Sequence, residues 1–424
     1  MEYKSEFLNF IQERGYLYQS VNIEGLNQLL MHDNYIVAYV GFDCTAPSLH
    51  VGHLIQVMML RHLQRFGYKP VVLLGGGTTK IGDPSFKDKA RRVLPMINIK
   101  QNASSIRKVL ERIVSFNDSK TGAVIVNNAD WLDNIKYIDF LCDIGAYFSV
   151  NRMLSFDSIK IRLDRERNLS FPEFSYMLLQ AYDFIELNRK YDCRLQIGGS
   201  DQWGNIVNGI ELGKKLKLPE LFGLTTPLLL NAQGVKMGKT ERGAVWLDGS
   251  MLKPYDYWQY FRNISDQDVG RFLRLLTDIP IDEIKKLESL KGQEINEAKK
   301  VLATEAVKIC YGEKEAWLAQ SAAVSAFENG NSLLLPDYTI TKEQIENGMF
   351  LVDLLNSTSL EPSKTAAKRL IRGNGCKVND NTINDINYII NYENFKTQSF
   401  IKLSAGRKRH IKVVMDEKES KSRI

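Results

Sequence analysis

The pattern of hydrophobic and polar positions divides the chain into three stretches. Between residues 35 and 230, short runs rich in β-branched residues and bounded by glycine alternate with longer stretches of helical periodicity. That alternation predicts βαβ units on a parallel sheet, and therefore an α/β fold. The runs are Tyr35–Val40, Pro70–Leu74, Ala123–Val126, Arg194–Ile197 and Leu224–Leu230.

The rest of the chain has two other patterns. From Ser265 to about Gly330, apolar residues recur at intervals of three to four, which predicts a small helical domain. The sequence FENGNSLLLP has the glycine, asparagine and serine content of a linker. A helical pattern over Ser363–Ile371 follows, and then two β-like runs, so we expect a compact α+β module. These runs are Ser399–Leu403 and Ile411–Met415.

Composition narrows the class of protein. With 424 residues, 44% of them hydrophobic, the chain is long enough for two or three domains, each with its own core. No stretch approaches the roughly 20 apolar residues that a membrane span needs. The N-terminus lacks an apolar signal core. We therefore expect a cytoplasmic protein with no membrane partner.

Cysteine and charge add two further expectations. The five cysteines are widely spaced, with no CxxC pair and no histidine in ligand register, so we expect no disulfide framework and no protein-bound metal. The net charge of +6 is unevenly distributed, since residues 331–424 hold 15 basic and 11 acidic side chains. This excess favours a polyanionic partner for the C-terminal module.

The first candidate for chemistry is the HVGH segment, residues 50–53. It lies between the predicted strand that ends near Val40 and a segment of helical periodicity, LIQVMMLRHLQRF. The free N–H groups and positive dipole end of such a helix attract phosphate. His50 and His53 can donate to phosphate oxygens, and Gly52 leaves room for a flat base. The alternative is a pair of surface histidines near a helix cap.

The second candidate is KMGKT, residues 236–240, within the glycine-punctuated loop NAQGVKMGKTERG. Leu228–Leu230 is predicted to end the strand before it. Mobile lysines on a glycine-containing loop suit a triphosphate whose charge is redistributed during a reaction. By itself the segment fits an ordinary solvated loop, but together with HVGH in an α/β chain it predicts an ATP site.

A polar face on a predicted helix over residues 171–191 is the third candidate. Tyr176, Gln180 and Asp183 lie at i, i+4 and i+7 and therefore share one face. A hydroxyl, an amide and a carboxylate on an otherwise apolar helix suit a small zwitterion with a polar tip, although a solvated helix face gives the same pattern. Further on, CRLQIGGSDQWGN places Asp201 at the carboxyl end of a strand, where ligands bind in open α/β sheets.

The segments HVGH, KMGKT, FSYMLLQAYDF and CRLQIGGSDQWGN, in this order and at this spacing, resemble bacterial tyrosyl-tRNA synthetases of class I. YVGFDCTAPSLHVGH and GGGTTKIGDPS extend the match, which is strong from about residue 30 to 250. The resemblance implies that residues 1–250 form a Rossmann-like catalytic domain, into which a dimer or connecting segment is inserted. It further implies a helical anticodon-arm domain over 251–330, then a linker and RNA-binding domain over 331–424.

The resemblance also implies which residues bind each part of the substrates. Tyr39 and Asp183 would bind the phenol hydroxyl of L-tyrosine, and Asp83, Tyr176 and Gln180 its amino group, with Gln196 behind them. ATP and the adenylate would contact Gly41, Asp43, His50, Gly52, His53, Gly199, Asp201, Gln202 and Lys239. The phosphates would be held in the transition state by Thr45, His50, His53, Lys87, Arg91, Lys236, Lys239 and Thr240. Lys214 and Lys215 align with residues that touch the tRNA acceptor arm.

Basic side chains in the C-terminal module suit contact with a polyanion, although a solvated charged face gives the same pattern, and the resemblance implies that the partner is tRNA(Tyr). Lys364, Lys368 and Arg372 recur every four residues on one predicted helix face, and Arg407 and Lys408 form another cluster. Basic faces hold a phosphate backbone without reading bases. The implied reaction joins tyrosine to ATP as tyrosyl-adenylate, releases pyrophosphate, and transfers tyrosine to the 3′ end of the tRNA. Mg²⁺ would accompany ATP, and the family suggests a homodimer.

Three places depart from the usual family pattern. Val40 stands where some members have a cysteine that reaches the ribose, so we expect a weaker ribose contact. Gly238 and Thr240 stand in a signature that more often reads KMSKS, and glycine leaves that loop freer. Thr79 and Lys80 occupy a stretch that is often smaller and more apolar, and the sequence assigns them no role.

Three alternatives remain open from the sequence. A tryptophan enzyme shares the same core, but Asp183 with Tyr39 and the C-terminal module favour tyrosine. Another HxGH nucleotidylyltransferase would need neither a lysine loop nor RNA-binding modules. A non-catalytic RNA-binding protein that kept the fold is disfavoured by the intact histidines and lysines.

Overall fold

The computed structural model describes residues 3–33, 35–85, 94–165, 168–240, 243–327, 335, 337–346, 348–395, 400–406 and 409–416, with the backbone alone described at 157, 158, 239, 240 and 325–327. Internal contacts divide the chain into two units. The first unit extends to Gly238 and includes Val245–Leu252 and Phe261–Gly312. The second includes Lys239–Ala244, Lys253–Tyr260 and the chain from Glu313 onward. The predicted domain boundaries at residues 250 and 330 stay a prediction.

The main sheet of the first unit has six strands within the described ranges. Their order is β1-β6-β5-β2-β3-β4. β1 pairs antiparallel with β6, and the other neighbours pair parallel. The predicted Rossmann-like α/β sheet is therefore confirmed, with an antiparallel strand added at one edge. The strands are β1 Gln19–Val21, β2 Val37–Asp43, β3 Lys69–Gly75, β4 Val124–Asn127, β5 Cys193–Gly199 and β6 Phe222–Thr226.

The end of β6 differs from the sequence prediction. The run predicted to continue to Leu230 ends as a strand at Thr226, because Pro227 has no N–H group to donate to a neighbouring strand. Leu230 instead forms an isolated bridge with Lys236. The segment Leu228–Leu230 therefore leads into a turn whose returning arm contains Lys236. It does not form the end of a sheet strand.

Helices cover the sheet and form the stretch that follows it. Ala181, Phe184 and Ile185 of α9 are buried in one core with Val71 and Leu73 of β3. The helices to residue 327 are α1 Glu6–Glu13, α2 Ile23–His32, α3 Leu54–Arg65, α4 Met96–Ile113, α5 Ala129–Leu132, α6 Tyr137–Asp143, α7 Val150–Ser155, α8 Asp157–Asp164, α9 Phe171–Tyr191, α10 Trp203–Lys215, α11 Pro254–Arg262, α12 Val269–Leu276, α13 Ile281–Glu288, α14 Ile295–Tyr311 and α15 Glu313–Phe327.

The start of α9, which carries the predicted polar face, is fixed by local chemistry. Ser170 accepts from Glu173 N, and the Glu173 carboxylate accepts from Ser170 N, so the two residues form a capping box. The same carboxylate pairs with Arg162 at 2.8 Å, and both side chains are almost fully buried. At the other end, Asp192 adopts a left-handed conformation and closes the helix.

The second unit contains the predicted α+β module. Its sheet of described strands has the order β12-β11-β14-β15-β9. Ser363 caps the predicted basic helix by accepting from Ala366 N. No helix among the described residues is both long and apolar enough to cross a membrane. The elements are β7 Lys239–Thr240, β8 Gly243–Ala244, β9 Asp337–Ile340, α16 Lys342–Glu346, β10 Met349–Phe350, α17 Leu351–Ser357, α18 Lys364–Arg372, β11 Cys376–Val378, β12 Asn381–Ile383, β13 Ile389–Ile390, β14 Phe400–Ala405 and β15 Arg409–Met415.

Candidate active site

The centre of the main sheet brings several predicted substrate residues together. β2 lies between β3 and β5, and Tyr39 on β2 pairs in register with Gln196 on β5. Cross-strand partners project from the same face of a sheet. The helix α9 covers this face, with the Phe184 ring centroid 5.2 Å from that of Tyr39. Tyr39, Gln196 and the polar face of α9 therefore line one region.

Two buried polar atoms of this region have no hydrogen-bond partner within the described part of the chain. They are the Tyr39 hydroxyl and Gln196 Oε1, on residues that are 1% and 3% exposed. A buried polar group without a partner costs free energy unless a ligand or water satisfies it. Burial and the nearby Asp183 hold the pKa of Tyr39 well above its usual value, so the hydroxyl stays protonated. The region is suited to a ligand with a polar tip.

Asp183 is the carboxylate of this pocket. It is 2% exposed and accepts from Asn128 Nδ2 at 3.0 Å and Trp131 Nε1 at 2.8 Å. Burial raises the pKa of its carboxyl to about 7, although the two donors act in the opposite direction. A carboxylate has about four acceptor positions, so Asp183 can still accept a hydroxyl from a ligand.

Asn128 and Trp131 are site residues that sequence reasoning missed. Asn128 Nδ2 also donates to Thr78 Oγ1 at 3.0 Å, and Thr78 donates to Asp43 Oδ1 at 2.9 Å. The Tyr176 hydroxyl donates to the same carboxylate at 3.2 Å. A continuous chain of hydrogen bonds thus joins the carboxylate of α9 to the one that ends β2. The signal that could have found Asn128 is its place directly after β4 at the carboxyl edge of the sheet.

The predicted amino-group residues lie in two elements near this edge. Asp83, 7% exposed, follows β3 and accepts from Gln202 Nε2 at 2.8 Å and from Ser85 N at 3.0 Å. Tyr176 and Gln180 lie one turn apart on α9, and Gln180 is half-buried. Carboxylate, hydroxyl and amide oxygens are the acceptors that an ammonium group needs.

The HVGH segment forms a 3₁₀ turn over Val51–His53 that leads into α3. His50 Nδ1 accepts from Gly52 N at 3.1 Å, and His53 Nδ1 accepts from His50 N at 3.2 Å. A neutral imidazole whose Nδ1 accepts a hydrogen bond carries its proton on Nε2. The two ring centroids are 4.0 Å apart. In the neutral form, both rings therefore carry their N–H at Nε2, which is a kind of donor that phosphate oxygens accept.

The lysine loop, residues 229–238, packs directly on the HVGH segment. A Cβ at Gly52 would lie 2.9 Å from Met237 O, and a Cβ at Gly238 would lie 2.7 Å from His50 Nδ1. Gly238 also has a φ of 127°, which side chains rarely adopt. Close packing against His50 is therefore a reason for glycine here, beyond the freer backbone expected from the sequence.

Lys236 joins the lysine loop to the carboxyl edge of the sheet. Its Nζ lies 3.4 Å from Asp201 Oδ2. Asp201 belongs to the 3₁₀ turn Ser200–Gln202 that follows β5 directly, and a Cβ at Gly199 would lie 2.8 Å from its Oδ1. Exposed ion pairs contribute little free energy, so a bound nucleotide can replace this contact at small cost.

The other predicted residues have the following positions. Thr45 is exposed and is the second residue after β2, Gly41 is exposed within β2, and Val40 is buried in it. Lys214 and Lys215 form the last turn of α10, where Lys215 Nζ donates to Tyr147 O. Outside the described residues, or described by backbone alone, lie Lys87, Arg91, Lys239, Thr240, Arg407 and Lys408.

In the second unit, the predicted basic residues share one helix. Lys364, Lys368 and Arg372 all belong to α18, whose spacing of four residues places them on one face. Lys364 Nζ pairs with Asp353 of α17 at 2.8 Å. This basic face is consistent with contact to a phosphate backbone.

Comparison with known proteins shows the family to which the chain belongs. The model of the family "tRNA synthetases class I (W and Y)" matches residues 31–328. The model of the tyrosine–tRNA ligase C-terminal domain matches residues 332–413. A C-terminally truncated mitochondrial tyrosyl-tRNA synthetase of Aspergillus nidulans has a similar structure, with a TM-score of 0.68 and 30% identity. That match covers 76% of this chain and 94% of the Aspergillus chain.

Two bacterial relatives match almost end to end. The tyrosine–tRNA ligase of Wolbachia sp. subsp. Drosophila simulans (strain wRi) is 80% identical over 98% of this chain and 100% of its own length. The enzyme of Ehrlichia ruminantium (strain Gardel) is 59% identical over 98% of this chain and 99% of its own. The tryptophanyl-tRNA synthetase of Encephalitozoon cuniculi shares only the fold, at 13% identity and a TM-score of 0.52. The prediction from the sequence is confirmed, and the chain belongs to the tyrosine–tRNA ligases of the class I aminoacyl-tRNA synthetase family.

Proposed function

We propose that this tyrosine–tRNA ligase binds the side chain of L-tyrosine between β2, β5 and α9. The observation that carries the assignment is that the Tyr39 hydroxyl, near the Asp183 carboxylate, and Gln196 Oε1 are buried with no hydrogen-bond partner among the described residues. The phenol hydroxyl would donate to Asp183 and accept from Tyr39. Phenylalanine would leave both groups unpaired, so the pocket rejects it without a separate editing site. Tyrosyl-tRNA synthetases are themselves a known case of this discrimination, which reaches about 10⁵-fold in that enzyme class.

The amino group and the nucleotide occupy the carboxyl edge of the sheet in this proposal. Asp83, Tyr176 and Gln180 bind the ammonium group through their oxygen atoms. Asp43 and Asp201 bind the adenylate, and Asp201 accepts from the ribose hydroxyls after Lys236 leaves it. Gly41, Gly52, Gly199, Gln196 and Gln202 complete the two substrate sites.

The chemistry needs no covalent intermediate with the protein. The tyrosine carboxylate attacks the α-phosphate of ATP, pyrophosphate leaves, and the tRNA 3′-terminal ribose then takes the tyrosyl group. The protein contributes positioning and stabilisation of developing charge. Nε2–H donors of His50 and His53 and the Lys236 ammonium act on the phosphates. We assign the same work to Thr45, Lys87, Arg91, Lys239 and Thr240.

We propose that Mg²⁺ enters with ATP, since Mg²⁺ keeps most of its waters and is held mainly by substrate phosphates in such sites. Among the described residues, no group of three His, Cys, Asp or Glu side chains lies close enough to hold a metal. The ion would supply positive charge to the pyrophosphate leaving group, and the side chains named above would orient it. A cytoplasmic location belongs to the proposal as well.

In the proposal, the protein contacts the phosphate backbone of the tRNA. Lys214 and Lys215 at the end of α10 reach the acceptor arm, and the face of Lys364, Lys368 and Arg372 on α18 holds another part of the tRNA, with Arg407 and Lys408. Lysine and arginine at these places bind phosphates without reading sequence. The predicted catalytic, anticodon-arm and RNA-binding domains would divide at residues 250 and 330.

A homodimer completes the proposal. Large apolar side chains are exposed within residues 137–171, and the most exposed are Tyr137, Ile138, Val150 and Phe171, at 60%, 64%, 57% and 62%. We call this set the apolar surface. Where exposed apolar side chains form one contiguous patch, they mark a protein contact. A second copy of the chain is the occupant we propose, with one subunit's core and its partner's C-terminal domains sharing a tRNA.

Amino-acid-dependent exchange of pyrophosphate into ATP tests the activation step. We expect exchange with tyrosine and none with tryptophan, and His50→Ala lowers kcat about a hundred-fold because a phosphate donor is lost. The matched control is His32→Ala, since His32 is an exposed histidine in the last turn of α2 and should leave exchange unchanged. Undiminished exchange in His50→Ala would contradict the assignment of the HVGH segment.

A further inference from the structure

The adjacent residues Thr78 and Thr79 contact two adjacent residues, the last residue of β2 and the one that follows it. Thr78 Oγ1 donates to the Asp43 carboxylate at 2.9 Å. Cys44 N donates to Thr79 Oγ1 at 2.7 Å. The 3₁₀ turn Thr78–Lys80 after β3 thus holds both the side chain that faces the adenylate and the peptide beyond it.

Cys44 is also held from a second side. Asn102 Nδ2 of α4 donates to Cys44 O at 2.9 Å. Cys44 is fully buried, Thr79 is 4% exposed and Asn102 is 9% exposed, so water competes little for either bond. Both backbone polar groups of Cys44 are therefore fixed by side chains from two other elements.

We propose that Thr79 is a positioning residue for adenylate formation, which acts through the backbone of Cys44 on Thr45. The inference rests on the proposed role of Thr45 at the phosphates. Thr45 is exposed and follows Cys44 directly. Thr79 holds the planar Asp43–Cys44 peptide through Cys44 N, and Asn102 holds the planar Cys44–Thr45 peptide through Cys44 O, so the two bonds together set the position of Thr45 N and Cα. A hydroxyl held in place needs no reorganisation when charge develops on the phosphates.

The variant Thr79→Val tests this role because valine keeps the shape of threonine and removes the acceptor. The Cys44 N–H is then buried without a partner, and the segment shifts to satisfy it. We expect kcat for tyrosyl-adenylate formation to fall about ten- to a hundred-fold, as a small misplacement of a catalytic group can cause. The KM for tyrosine stays within about two-fold, since Thr79 does not line the tyrosine pocket. Thr79→Ser keeps the hydroxyl and restores kcat.

A matched control separates positioning from general stability. Thr277 is fully buried in the same unit, and its hydroxyl donates to Leu273 O at 2.6 Å and accepts from Ile279 N at 3.4 Å. Thr277→Val also removes a buried hydroxyl that accepts a backbone N–H. We expect it to lower the melting temperature without changing kcat.

A double-mutant cycle with Thr45→Ala tests whether Thr79 acts on catalysis through Thr45. If Thr79 acts through Thr45, Thr79→Val has no further effect on kcat in the Thr45→Ala background. An unchanged kcat in Thr79→Val, or an equal loss in both backgrounds, overturns the inference and leaves the role of Thr45 intact. An unchanged kcat in Thr45→Ala itself removes the proposed role of Thr45 and the inference with it. Should Thr79→Val not fold, Asn102→Leu removes the other bond to Cys44 and supplies the same cycle.

Discussion

Two tyrosine side chains in this enzyme are equally buried, but only one of their hydroxyls has hydrogen-bond partners among the described residues. Tyr39 and Tyr16 are each 1% exposed. The Tyr16 hydroxyl donates to Leu275 O at 2.7 Å and lies 3.1 Å from His62 Nε2, whereas the Tyr39 hydroxyl has no partner among the described residues. Without substrate, the first hydroxyl stabilises the fold and the second opposes it.

This contrast predicts opposite effects of the same substitution. Tyr39→Phe should raise the free energy of unfolding of the ligand-free enzyme by about 1 kcal/mol, and Tyr16→Phe should lower it by about 1 to 2 kcal/mol. Tyr39→Phe should also weaken tyrosine binding about ten-fold and phenylalanine binding little. Denaturant titration and equilibrium binding measure the two effects. Equal destabilisation by both substitutions would show that Tyr39 is a structural residue.

Asp183 predicts a pH dependence of tyrosine binding. Its pKa in the free enzyme is about 7, so the group is neutral below that pH and its contribution to folding stability falls as pH rises from about 4 to about 7. A phenol hydroxyl donates best to the ionised form, so tyrosine binding releases the proton. The dissociation constant should fall about ten-fold between about pH 6 and about pH 8 and then level off.

The measurement is equilibrium dialysis with tyrosine alone, because ATP would add the titration of its own phosphates. Asp183→Asn carries no titrating carboxyl and should bind tyrosine weakly, with a flat pH profile. A profile that keeps its slope in Asp183→Asn would mean that another group titrates.

At the scale of residues, the sequence predicted the site residues that share one face of a helix. Tyr176, Gln180 and Asp183 are four and three residues apart, and one helix indeed carries them all. Asn128 and Trp131 contact Asp183 from more than 50 positions away in the chain. No local pattern encodes such a contact, because it depends on β4 lying at the edge beside β3.

At the scale of elements, the lysine loop is a turn held by its own side chains. Asn231 Oδ1 accepts from Gln233 N at 3.1 Å and Val235 N at 2.9 Å, and Met237 N donates to Leu229 O at 2.7 Å. Ala232 N donates to the buried Asp268 carboxylate at 2.9 Å, which ties the turn to the start of α12. The glycine and polar content of the segment predicted a loop, but its contacts with α12 were not predictable from it.

Two glycines of this loop allow a matched prediction. Gly238 and Gly234 both have positive φ, but only at Gly238 would a Cβ meet another group, His50 Nδ1 at 2.7 Å. Both alanine variants should lose about 1 kcal/mol of stability from backbone strain. Only Gly238→Ala should lower kcat for pyrophosphate exchange, because it displaces the His50 ring or the loop. Equal kinetics in the two variants would show that contact with His50 is unimportant.

The strands were predicted correctly where a short hydrophobic run was bounded at both ends by residues that interrupt a strand. The buried runs of β2 to β5 are bounded by glycine or polar residues and were located to within a few residues. β1 carries no such signal, since it has three half-buried residues and gains its partner only from β6. The alternation of elements therefore predicted the parallel core, while the antiparallel edge depends on contacts distant in sequence.

At the scale of the whole molecule, the apolar surface is the feature that a single chain leaves unexplained. Ile138 on α6 is 64% exposed, and Ile97 on α4 is 61% exposed. Ile138 belongs to the set of exposed apolar side chains in residues 137–171, whereas Ile97 belongs to a different helix. If a second copy covers the apolar surface, an aspartate at Ile138 would bury an unpaired charge, which costs several kcal/mol.

Ile138→Asp should therefore sediment as a monomer at concentrations at which the parent enzyme and Ile97→Asp sediment as dimers. We expect the monomer to keep its thermal stability within a few degrees, because an exposed side chain contributes little to the fold of one chain. If Ile138→Asp loses tRNA charging but keeps tyrosine-dependent exchange, the transfer step requires the dimer and the activation step does not. In the proposed dimer, activation would use residues of one subunit, whereas transfer would require a tRNA held across both. A parent enzyme that sediments as a monomer, or a dimeric Ile138→Asp, would exclude this surface as the subunit interface.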